Sequence, residues 1–549
     1  MRIALAQYNP TVGDIPGNCA RIEEMINEAR SQHTDLVVFG ELSVVGYPPR
    51  DLLAKEEFVA ETEAAVEDMA ARCRGISALV GYVRRNPEQQ GRPLQNVAAL
   101  LEEGRVKHVH VKTLLPTYDV FDETRYFEPG EKDPQCIEVA DTRLGLSICE
   151  DMWDAEALGR AFYGTDPIET LDRQGADIII NMAASPFHVG KAAVREDLFS
   201  RQARRFGKPI VYVNQVGGND ELVFDGASCV VSGSGKIVGR ARSFEEDLLI
   251  VDCDSADAGR CEEIEDEMRR LSCALKLGIG DYTRKCGFSS VVLGLSGGID
   301  SAVVATVAAD ALGPENVFGL LMPSRYSSGH SVSDAEKLAR SLGMPHKTVA
   351  IEDMHHAFER SVVKTFGDKL AGVAGENIQA RIRGNLVMAL SNAEGHLPLA
   401  TGNKSELSVG YCTLYGDMCG GLAPIGDVLK TQVYALARQL NAEVGTDRIP
   451  ENTIVKPPSA ELKPDQVDQD SLPPYELLDE VLKRYIEDDH TARQIIADGF
   501  DADTVNRIVR MVDRNEYKRQ QAAPVLKVSP RAFGSGRRMP IAQRYVQGE

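Results

Sequence analysis

Residues 289–313, SSVVLGLSGGIDSAVVATVAADALG, decide the fold of the carboxyl-terminal half of the chain. The segment SSVVLGL predicts a buried strand, and the residues after SGGID predict an apolar helix. Between them, Gly297 and Gly298 let backbone N–H groups approach an anion closely, and the helix start adds positive partial charge. Ser296 and Ser301 add hydroxyl groups to the loop. This order predicts a phosphate site that opens a parallel sheet.

Asp300 places a carboxylate in the same loop, beside the predicted phosphates. Two anions at close range need a cation that bridges them, so the loop also predicts a divalent cation. The GxxxxGK[ST] pattern of Walker-type ATPases is absent from the loop, and no GxGxxG pattern follows the strand. The stretch GSGKIVG at residues 233–239 predicts a hairpin turn instead.

The sequence around this loop divides the chain into two domains. Polar, aperiodic residues 252–263, DCDSADAGRCEE, predict a linker between domains at residues 1–255 and 256–549. After the linker, strands and helices alternate, which predicts an α/β fold with a Rossmann-like, doubly wound parallel sheet. Before it, many apolar strands follow one another with few helices, which predicts a mixed sheet system packed by helices.

Three apolar strands of the first half end at reactive side chains. Glu41 follows DLVVFG, Lys112 follows VKHVHV, and Cys149 follows RLGLSI. Folds of the α/β class place their chemistry at the carboxyl ends of strands. A carboxylate can take the proton of a thiol, and an ammonium can stabilise the thiolate and the oxyanion of an attacked carbonyl. Together they predict an acyl-transfer site, although singly they also fit a solvated cap, a surface lysine and a core cysteine.

Longer motifs surround these three residues: GELSVVGYPPRDLL, KTLLPTYDVFDETRYF and SICEDMWD. In this order they resemble the glutaminase domains of the nitrilase superfamily, over about residues 1–255. The resemblance implies an αββα sandwich in which Glu41 is the general base, Lys112 stabilises the oxyanion and Cys149 is the nucleophile. Glu123 matches a second glutamate that family members often carry.

The same resemblance implies a pocket for glutamine. The implied contacts are Tyr47, Tyr118, Glu150, Trp153, Ser185 and Lys191. Relatives often have Arg in place of Lys191. Trp153, the only tryptophan of the chain, also fits simple core packing.

The SGGIDS loop resembles the pyrophosphatase-type signature of ATP-dependent adenylating enzymes, which have the adenine nucleotide alpha hydrolase type of fold. These enzymes split ATP between its α and β phosphates and transfer AMP to a carboxyl or carbonyl oxygen. NAD, GMP and asparagine synthetases and tRNA-modifying enzymes share the signature, so the loop indicates the reaction class and leaves the acceptor open. The ATP contacts implied here are Ser296, Gly297, Gly298, Asp300 and Ser301.

Two later motifs narrow the choice of acceptor. ENIQARIRGNLVMALSN predicts a helix with Asn377 and Arg381 on one face. LATGNKSELSVGYCTLYGDMCGGLAPIGDVLKTQ follows a predicted strand. The order of these motifs resembles NAD synthetases over about residues 265–549. Leu414 stands where synthetases that use only ammonia usually have Lys, which fits the glutamine-using branch.

The resemblance to NAD synthetases implies a set of ligand contacts. Asp300 and Glu406 would hold Mg²⁺. Further ATP contacts would be Arg325, Thr401 and Lys430. The contacts to the pyridine dinucleotide would be Asn377, Arg381, Glu406, Asp417, Arg537 and Arg538.

The two resemblances together imply an enzyme that hydrolyses glutamine through a Cys149 thioester and passes the ammonia to its second domain. There, ATP would adenylate the nicotinate carboxylate of nicotinic acid adenine dinucleotide (deamido-NAD). Ammonia would then displace AMP, which completes the last step of NAD biosynthesis. Ammonia must stay neutral, which favours an internal tunnel. Two alternatives stay open: a glutaminase fused to another adenylating enzyme, and a nucleotide-sensing scaffold with vestigial sites.

Composition limits the partners and the compartment. The chain has 61 basic and 82 acidic residues, a net charge of −21, which argues against nucleic-acid binding. None of the 11 cysteines forms a C-x-x-C pair, which disfavours a disulfide framework or a zinc site. We find no signal-peptide pattern and no apolar run near the ~18 residues of a membrane span. We therefore expect a cytoplasmic enzyme of small molecules, and the resemblances imply a homo-oligomer.

Overall fold

The computed structural model describes residues 1–253, 259–367, 372–464 and 466–545. The chain divides into two compact units, Met1–Glu265 and Asp266–Glu549. The boundary predicted between residues 255 and 256 lies outside the described residues. Within the described ranges, no helix is both long enough and apolar enough to cross a bilayer.

The described residues of the amino-terminal unit form fourteen strands and four α-helices. The strands are β1 (Arg2–Gln7), β2 (Leu36–Val38), β3 (Ser77–Arg85), β4 (Leu94–Glu102), β5 (Arg105–Val111), β6 (Ile137–Val139), β7 (Thr142–Ile148), β8 (Ile178–Ala183), β9 (Ile210–Asn214), β10 (Val216–Asn219), β11 (Leu222–Asp225), β12 (Cys229–Val231), β13 (Ile237–Arg240) and β14 (Asp247–Asp252). The helices are α1 (Ile15–Ser31), α2 (Glu56–Arg72), α3 (Pro167–Arg173) and α4 (Lys191–Phe206).

Two six-stranded mixed sheets organise this unit, in the orders β14-β1-β2-β3-β4-β5 and β13-β12-β9-β8-β7-β6. Each sheet has three parallel strands in its centre and antiparallel strands at its edges. Strands β10 and β11 form a separate hairpin. The mixed sheets agree with the prediction for this half. Strands β6, β10, β11 and β13 were not predicted, because runs of three or four residues that include a polar residue or a glycine show no clear pattern. The equally short strands β2 and β12 contain apolar residues alone.

The alternation of side chains along β1 separates two cores. Ile3 and Leu5 pack with Leu144 of the second sheet, so the two sheets face each other across a common core. Ala4 points to the opposite face, where it packs with Ile22 of α1. Helices α3 and α4 contact strands of the second sheet. The predicted αββα sandwich is therefore confirmed.

The three predicted catalytic residues lie at carboxyl ends of strands, as the sequence indicated. Lys112 directly follows β5, and Cys149 directly follows β7. Glu41 lies in the turn after β2. Because these strands belong to both sheets, the sandwich brings the ends of separate chain segments into one region.

The carboxyl-terminal unit contains four short strands and many helices. The strands are β15 (Val291–Gly294), β16 (Val317–Leu321), β17 (His346–Thr348) and β18 (Leu397–Pro398). The helices are α5 (Glu267–Lys285), α6 (Ile299–Leu312), α7 (Gly329–Leu342), α8 (Glu352–Phe366), α9 (Val373–Glu394), α10 (Lys404–Val409), α11 (Lys430–Val444), α12 (Glu451–Val455), α13 (Tyr475–Leu482), α14 (Ala492–Ala497), α15 (Ala502–Arg514) and α16 (Glu516–Arg519).

The strands of this unit form a parallel sheet in the order β17-β16-β15-β18, as predicted. Helix α9 packs on the sheet through Ile378 and Ile382, which contact the core residues Val292 and Leu320. Helices α5, α6 and α11 pack against one another, and α6 also contacts β15 and β16. Helix α6 begins at Ile299, two residues before the predicted start, so the phosphate-loop carboxylate lies in its first turn.

Candidate active sites

Lys112 links two glutamates in the amino-terminal unit. Its Nζ atom donates hydrogen bonds to Glu41 Oε1 at 2.6 Å and to Glu123 Oε1 at 2.8 Å. The Lys112 and Glu41 side chains are each only 1% exposed. An unpaired charge would be very costly in such surroundings, so the two ion pairs are what allow the ammonium to be buried. The structure thus brings together Glu41, Lys112 and the additional glutamate.

Burial and charge set the protonation of this group. Burial lowers the pKa of Lys112, but Glu123 and Glu41 outweigh it and hold that pKa well above its ordinary value. Burial raises the pKa of Glu123 to about 7, against the opposing effect of Lys112. Burial also raises the pKa of the Cys149 thiol. The charge of Glu41 raises this pKa further, and the charge of Lys112 lowers it. These surroundings favour the neutral thiol over the thiolate.

Cys149 occupies a sharp turn between β7 and a short 3-10 helix. Its φ of +43° lies in the left-handed region, which is strained for a residue other than glycine. The buried carboxylate of Asp151 holds this turn, because it accepts the N–H group of Ile148 at 2.9 Å. It also accepts the N–H groups of residues 113 and 114, at 3.0 and 2.7 Å, directly after Lys112. Asp151, which no sequence motif singled out, therefore ties the lysine segment to the cysteine segment.

Tyrosine hydroxyls donate hydrogen bonds to Glu123 and to a further glutamate, Glu150. Tyr47 donates to Glu123 Oε1 at 2.9 Å. Tyr118 donates to both oxygens of Glu150 at 3.0 Å, and Tyr163 donates to Glu150 Oε1 at 2.9 Å. Burial raises the pKa of Glu150. Tyr163 was missed because it lies in a segment with no recognisable pattern.

The other predicted glutamine contacts lie in the same unit. Lys191 Nζ lies 4.1 Å from the centre of the Trp153 ring, a cation–π contact. Trp153 is partly buried and packs on the core, so the alternative of core packing describes part of its surroundings. Ser185 is buried, and its backbone N–H donates to Asn214 Oδ1 at 2.8 Å.

The phosphate loop of the carboxyl-terminal unit is closely packed. Gly297 has a φ of +78°, and a Cβ atom there would lie 2.1 Å from the carbonyl oxygen of Ser331. Only glycine fits such a position. Ser296 Oγ accepts the N–H of Gly298 at 3.1 Å and lies 3.2 Å from Ser301 Oγ.

A second buried lysine lies between two carboxylates beside this loop. Lys430 Nζ donates to Asp300 Oδ2 at 2.5 Å and to Glu406 Oε1 at 3.3 Å. Asn403, the N-cap of α10, donates to Asp300 Oδ1 at 2.9 Å. Burial raises the pKa of Glu406 to about 8, an effect that Lys430 opposes and Asp300 increases. Burial lowers the pKa of Lys430, but the two carboxylates outweigh it and raise that pKa overall.

A cavity of about 330 Å³ opens on this cluster. Its apolar wall includes Leu295, Met322, Val387 and Leu399, which suits a flat ring. Burial raises the pKa of Asp417, another lining residue, to about 6. The predicted site residues that line the cavity are Ser296, Gly298, Asp300, Ser301, Thr401, Glu406, Asp417 and Lys430.

Sequence reasoning missed several polar residues of this cavity. Arg383 lines it and donates from Nε to the carbonyl oxygen of Met322 at 2.9 Å. Residues 456–462 also line it, and Glu461 Oε1 accepts a hydrogen bond from Ser331 Oγ at 2.6 Å. Residues 456–462 contain two prolines and no recognisable motif, so the sequence gave no indication of these contacts.

Other predicted ligand contacts do not line the described part of the cavity. Asn377 Oδ1 accepts a hydrogen bond from the hydroxyl of Thr413, which does line it, at 2.8 Å. Arg381 is exposed and donates from Nε to the carbonyl oxygen of Leu414 at 3.2 Å. Asn377 therefore adjoins the cavity, whereas the guanidinium of Arg381 is held at the 414 backbone.

Three further arginines also have protein partners away from the lining residues described. Arg325 forms an ion pair with Glu352 at 3.0 Å. Arg537 is buried and lies 3.7 Å from a carboxylate oxygen of Asp513. Arg538 donates to the carbonyl oxygen of residue 535 at 3.1 Å. In the part of the chain that the structure describes, none of these three arginines lines the cavity.

Two family models match the chain, one in each unit. Residues 2–263 match the carbon-nitrogen hydrolase family, to which the buried Glu–Lys–Cys group also points. Residues 271–522 match the NAD synthase family, in agreement with the phosphate loop. The fold and the sites thus define a carbon-nitrogen hydrolase unit joined to an NAD synthase unit.

Relatives that the chain matches over nearly their whole length share both units. A glutamine-dependent NAD(+) synthetase of Synechocystis is 49% identical over 99% of both chains. One of Thermotoga maritima is 42% identical over 100% of this chain and 99% of its own. The structure of a glutamine-dependent NAD+ synthetase from Acinetobacter baumannii with adenosine diphosphate is 39% identical over 98% of both chains, with a TM-score of 0.78. The chain belongs to the family of glutamine-dependent NAD(+) synthetases.

Gly297→Ala should lower the free energy of unfolding of the carboxyl-terminal unit by about 1–3 kcal/mol. The new Cβ would meet the Ser331 carbonyl oxygen at 2.1 Å, and the φ of +78° would be strained. Urea unfolding measures the change. Gly298→Ala is the matched control, since its φ is −82° and its Cβ would approach only Ser296 Oγ, at 3.2 Å. Equal losses in the two variants would contradict this account of the loop.

Proposed function

We propose that this protein converts deamido-NAD to NAD, with ATP as co-substrate and glutamine as nitrogen donor. The other products are AMP, pyrophosphate and glutamate. The observation that carries the proposal is that one chain holds both a buried lysine–glutamate pair near a strained cysteine and a phosphate loop with paired carboxylates. Membership of the synthetase family supports the same reaction, in preference to another adenylating enzyme or a nucleotide sensor.

In the glutaminase half, Glu41 takes the proton of the Cys149 thiol, and Sγ attacks the side-chain carbonyl carbon of glutamine. Lys112 uses two of its three donors on the glutamates in the described hydrogen bonds, which leaves a third for the oxyanion. Glu41 then gives the proton to the leaving nitrogen, the C–N bond breaks, and ammonia departs. Water that Glu41 activates hydrolyses the thioester to glutamate and restores the thiol.

In the synthetase half, an oxygen of the nicotinate carboxylate attacks the α-phosphorus of ATP, and pyrophosphate leaves. Ammonia then attacks the adenylated carbonyl carbon, and AMP leaves with the carboxylate oxygen. Adenylation is needed because a free carboxylate is a poor electrophile. Lys430 and the backbone N–H groups at the start of α6 supply positive charge to the phosphates.

We assign a Mg²⁺ site to Asp300 and Glu406. Both carboxylates reach the same Lys430 ammonium, so they converge on one point of the cavity. In the ranges that the structure describes, no three His, Cys, Asp or Glu side chains form a complete metal site. The remaining ligands would be phosphate oxygens and water, which Mg²⁺ prefers. When bound, the ion neutralises charge on the phosphates.

The proposed substrate contacts combine the family resemblance with the positions of the residues in each unit. For glutamine they are Tyr47, Tyr118, Glu150, Trp153, Ser185 and Lys191. For ATP they are Ser296, Gly297, Gly298, Asp300, Ser301, Thr401 and Lys430, and the adenosine diphosphate bound to the Acinetobacter relative supports a nucleotide in this cavity. For deamido-NAD they are Asn377, Glu406 and Asp417. The family resemblance alone supports Arg325 for ATP and Arg381, Arg537 and Arg538 for the dinucleotide.

The proposal also covers the cellular compartment, the oligomeric state and the class of substrate. We place it in the cytoplasm, because its cysteines are scattered and its substrates are metabolites of that compartment. The family resemblance supports a homo-oligomer, and the acidic net charge of −21 supports small-molecule substrates over nucleic acid.

Cys149→Ala should abolish glutamine-driven NAD synthesis, with a loss of roughly 10³-fold or more. Neither Glu41 nor Lys112 can form the acyl intermediate in its place. Synthesis from ammonium at mildly alkaline pH should persist, because the second site needs only ammonia. Both rates are measured as NAD formed from deamido-NAD and ATP.

Cys229→Ala is the matched control, since Cys229 is also buried in the core of the amino-terminal unit. It should keep both activities. Retention of glutamine-driven synthesis by Cys149→Ala would show that the nucleophile lies elsewhere. Loss of both activities in a folded Cys149→Ala variant would contradict the separation of the two sites.

Asp300→Asn and Glu406→Gln should each reduce synthesis from either nitrogen source by about a hundredfold or more. Each substitution removes a proposed carboxylate ligand of Mg²⁺ and so weakens the neutralisation of the phosphates. Glutamine hydrolysis should persist in part. Asp310→Asn is the control on the same helix: Asp310 pairs with Lys276 and Arg448, at 3.1 and 2.6 Å. Its synthesis rate should stay near that of the wild type. Near-normal synthesis from ammonium by either site variant would refute the assignment.

A further inference from the structure

A buried amide contacts the general base of the amino-terminal unit. Asn96 lies on β4 with 1% of its surface exposed, and its Nδ2 atom donates to Glu41 Oε1 at 2.7 Å. We propose that Asn96 is a positioning residue that orients the Glu41 carboxylate to take the thiol proton of Cys149. This inference rests on the proposed catalytic roles of Glu41 and Cys149.

The two oxygens of Glu41 have different surroundings. Oε1 accepts two short hydrogen bonds, from Asn96 at 2.7 Å and from Lys112 at 2.6 Å. Oε2 accepts a single longer hydrogen bond within the described part of the chain, from the N–H of Ala184 at 3.3 Å. An oxygen that already accepts two strong donors has little capacity left for a proton. Oε2 is therefore the oxygen that receives the thiol proton, and Asn96 helps to fix that choice.

The backbone of Asn96 supports Lys112 independently of the contact between the Asn96 side chain and Glu41. Its carbonyl oxygen accepts the N–H of Lys112 at 2.9 Å, in continuation of the pairing between β4 and β5. That hydrogen bond does not depend on the side chain at position 96. A substitution there removes the contact to Glu41 while it leaves the backbone support of Lys112 in place.

The side-chain oxygen of Asn96 argues against a packing role. Oδ1 is buried and has no hydrogen-bond partner among the described residues. Burying such an oxygen lowers stability, so a position selected for packing alone would hold an apolar residue. The next residues of β4, Val97, Ala98 and Ala99, are all apolar and buried. The donor to Glu41 is what the polar side chain contributes.

Several charged and titratable groups face Glu41. Lys112 contacts it directly, and Glu123, Cys149 and Tyr47 interact with it electrostatically. All of these remain when Asn96 is replaced. Loss of the Asn96 donor removes a hydrogen bond that favours the charged form of a carboxylate over its protonated form. The acidic limb of the pH profile for glutamine use should therefore move upward.

The test compares Asn96→Ala and Asn96→Leu with the wild-type full chain. Asn96→Leu keeps most of the side-chain volume and removes the unpaired oxygen. We expect kcat/KM for glutamine to fall about tenfold at neutral pH, and its acidic limb to rise by about one pH unit. Synthesis from ammonium should be unchanged in both variants. The melting temperature of each variant checks that it is folded.

Asn18→Ala is the matched control for a structural asparagine of the same unit. Asn18 is buried, and its amide donates to the carbonyl oxygens of Thr11 and Val44 at 2.8 and 3.0 Å. This variant should melt at a lower temperature than the wild type and keep the same acidic limb. A lower melting temperature without a pH shift is thus the signature of a structural role.

An acidic limb unchanged in a folded Asn96 variant would overturn the proposal, as would an equal loss of ammonium-driven synthesis. Failure of both Asn96 variants to fold would also overturn it, because it would assign a structural role. Failure of the proposed function gives a different result, because the wild type would then form no NAD from glutamine. Failure of the proposed role of Cys149 is also distinct: Cys149→Ala, assayed in parallel, would then keep glutamine-driven synthesis.

Discussion

An ammonium buried between two carboxylates is the constraint on which the amino-terminal unit depends. Lys112 is 1% exposed and contacts both Glu41 and Glu123. Removing a charge from water costs more than most single interactions return, so this lysine is stable only where both glutamates reach it. The ends of β2 and β5 must therefore meet, and Asp151 joins the latter to the end of β7. The sandwich of two sheets satisfies this requirement with rigid strands.

The carboxyl-terminal unit repeats the arrangement with a different consequence. Lys430 is also buried between two carboxylates, Asp300 and Glu406, but these line a cavity large enough for a ligand. In the proposed mechanism, the glutamates of the first unit hold the lysine beside a carbonyl that gains negative charge during the reaction. In the second unit, we propose that the lysine supplies positive charge to the phosphates and that the two carboxylates supply ligands to a cation. A buried lysine between two carboxylates thus occurs in both units.

The strand ends and the glycine loop were predictable because they depend on local pattern. An apolar run that stops at Glu, Lys or Cys is visible in the sequence. Gly297 has a positive φ, and the position of the SGGID motif between a predicted strand and a predicted helix indicates a tight loop there. Asn96 and Asp151 were not predictable, because a single polar residue has a role only after distant strands have paired. The protein groups that Arg325 and Arg381 contact could not be predicted either, because the partner of a long, flexible side chain depends on the tertiary structure. Sequence therefore indicated the strand ends and the glycine loop, while the contacts that support the candidate residues became visible only in the fold.

The central claim is that the Cys149 thiol is neutral in the resting protein and becomes a nucleophile only when Glu41 takes its proton. The most direct test is the pH dependence of Cys149 alkylation by iodoacetamide, in the full-length protein without glutamine, followed by peptide mass spectrometry. The account predicts a midpoint above the ordinary thiol value of about 8.5, because burial and Glu41 raise the pKa of Cys149. A midpoint below about 7 would reveal a thiolate already formed beside Lys112, and would contradict the account.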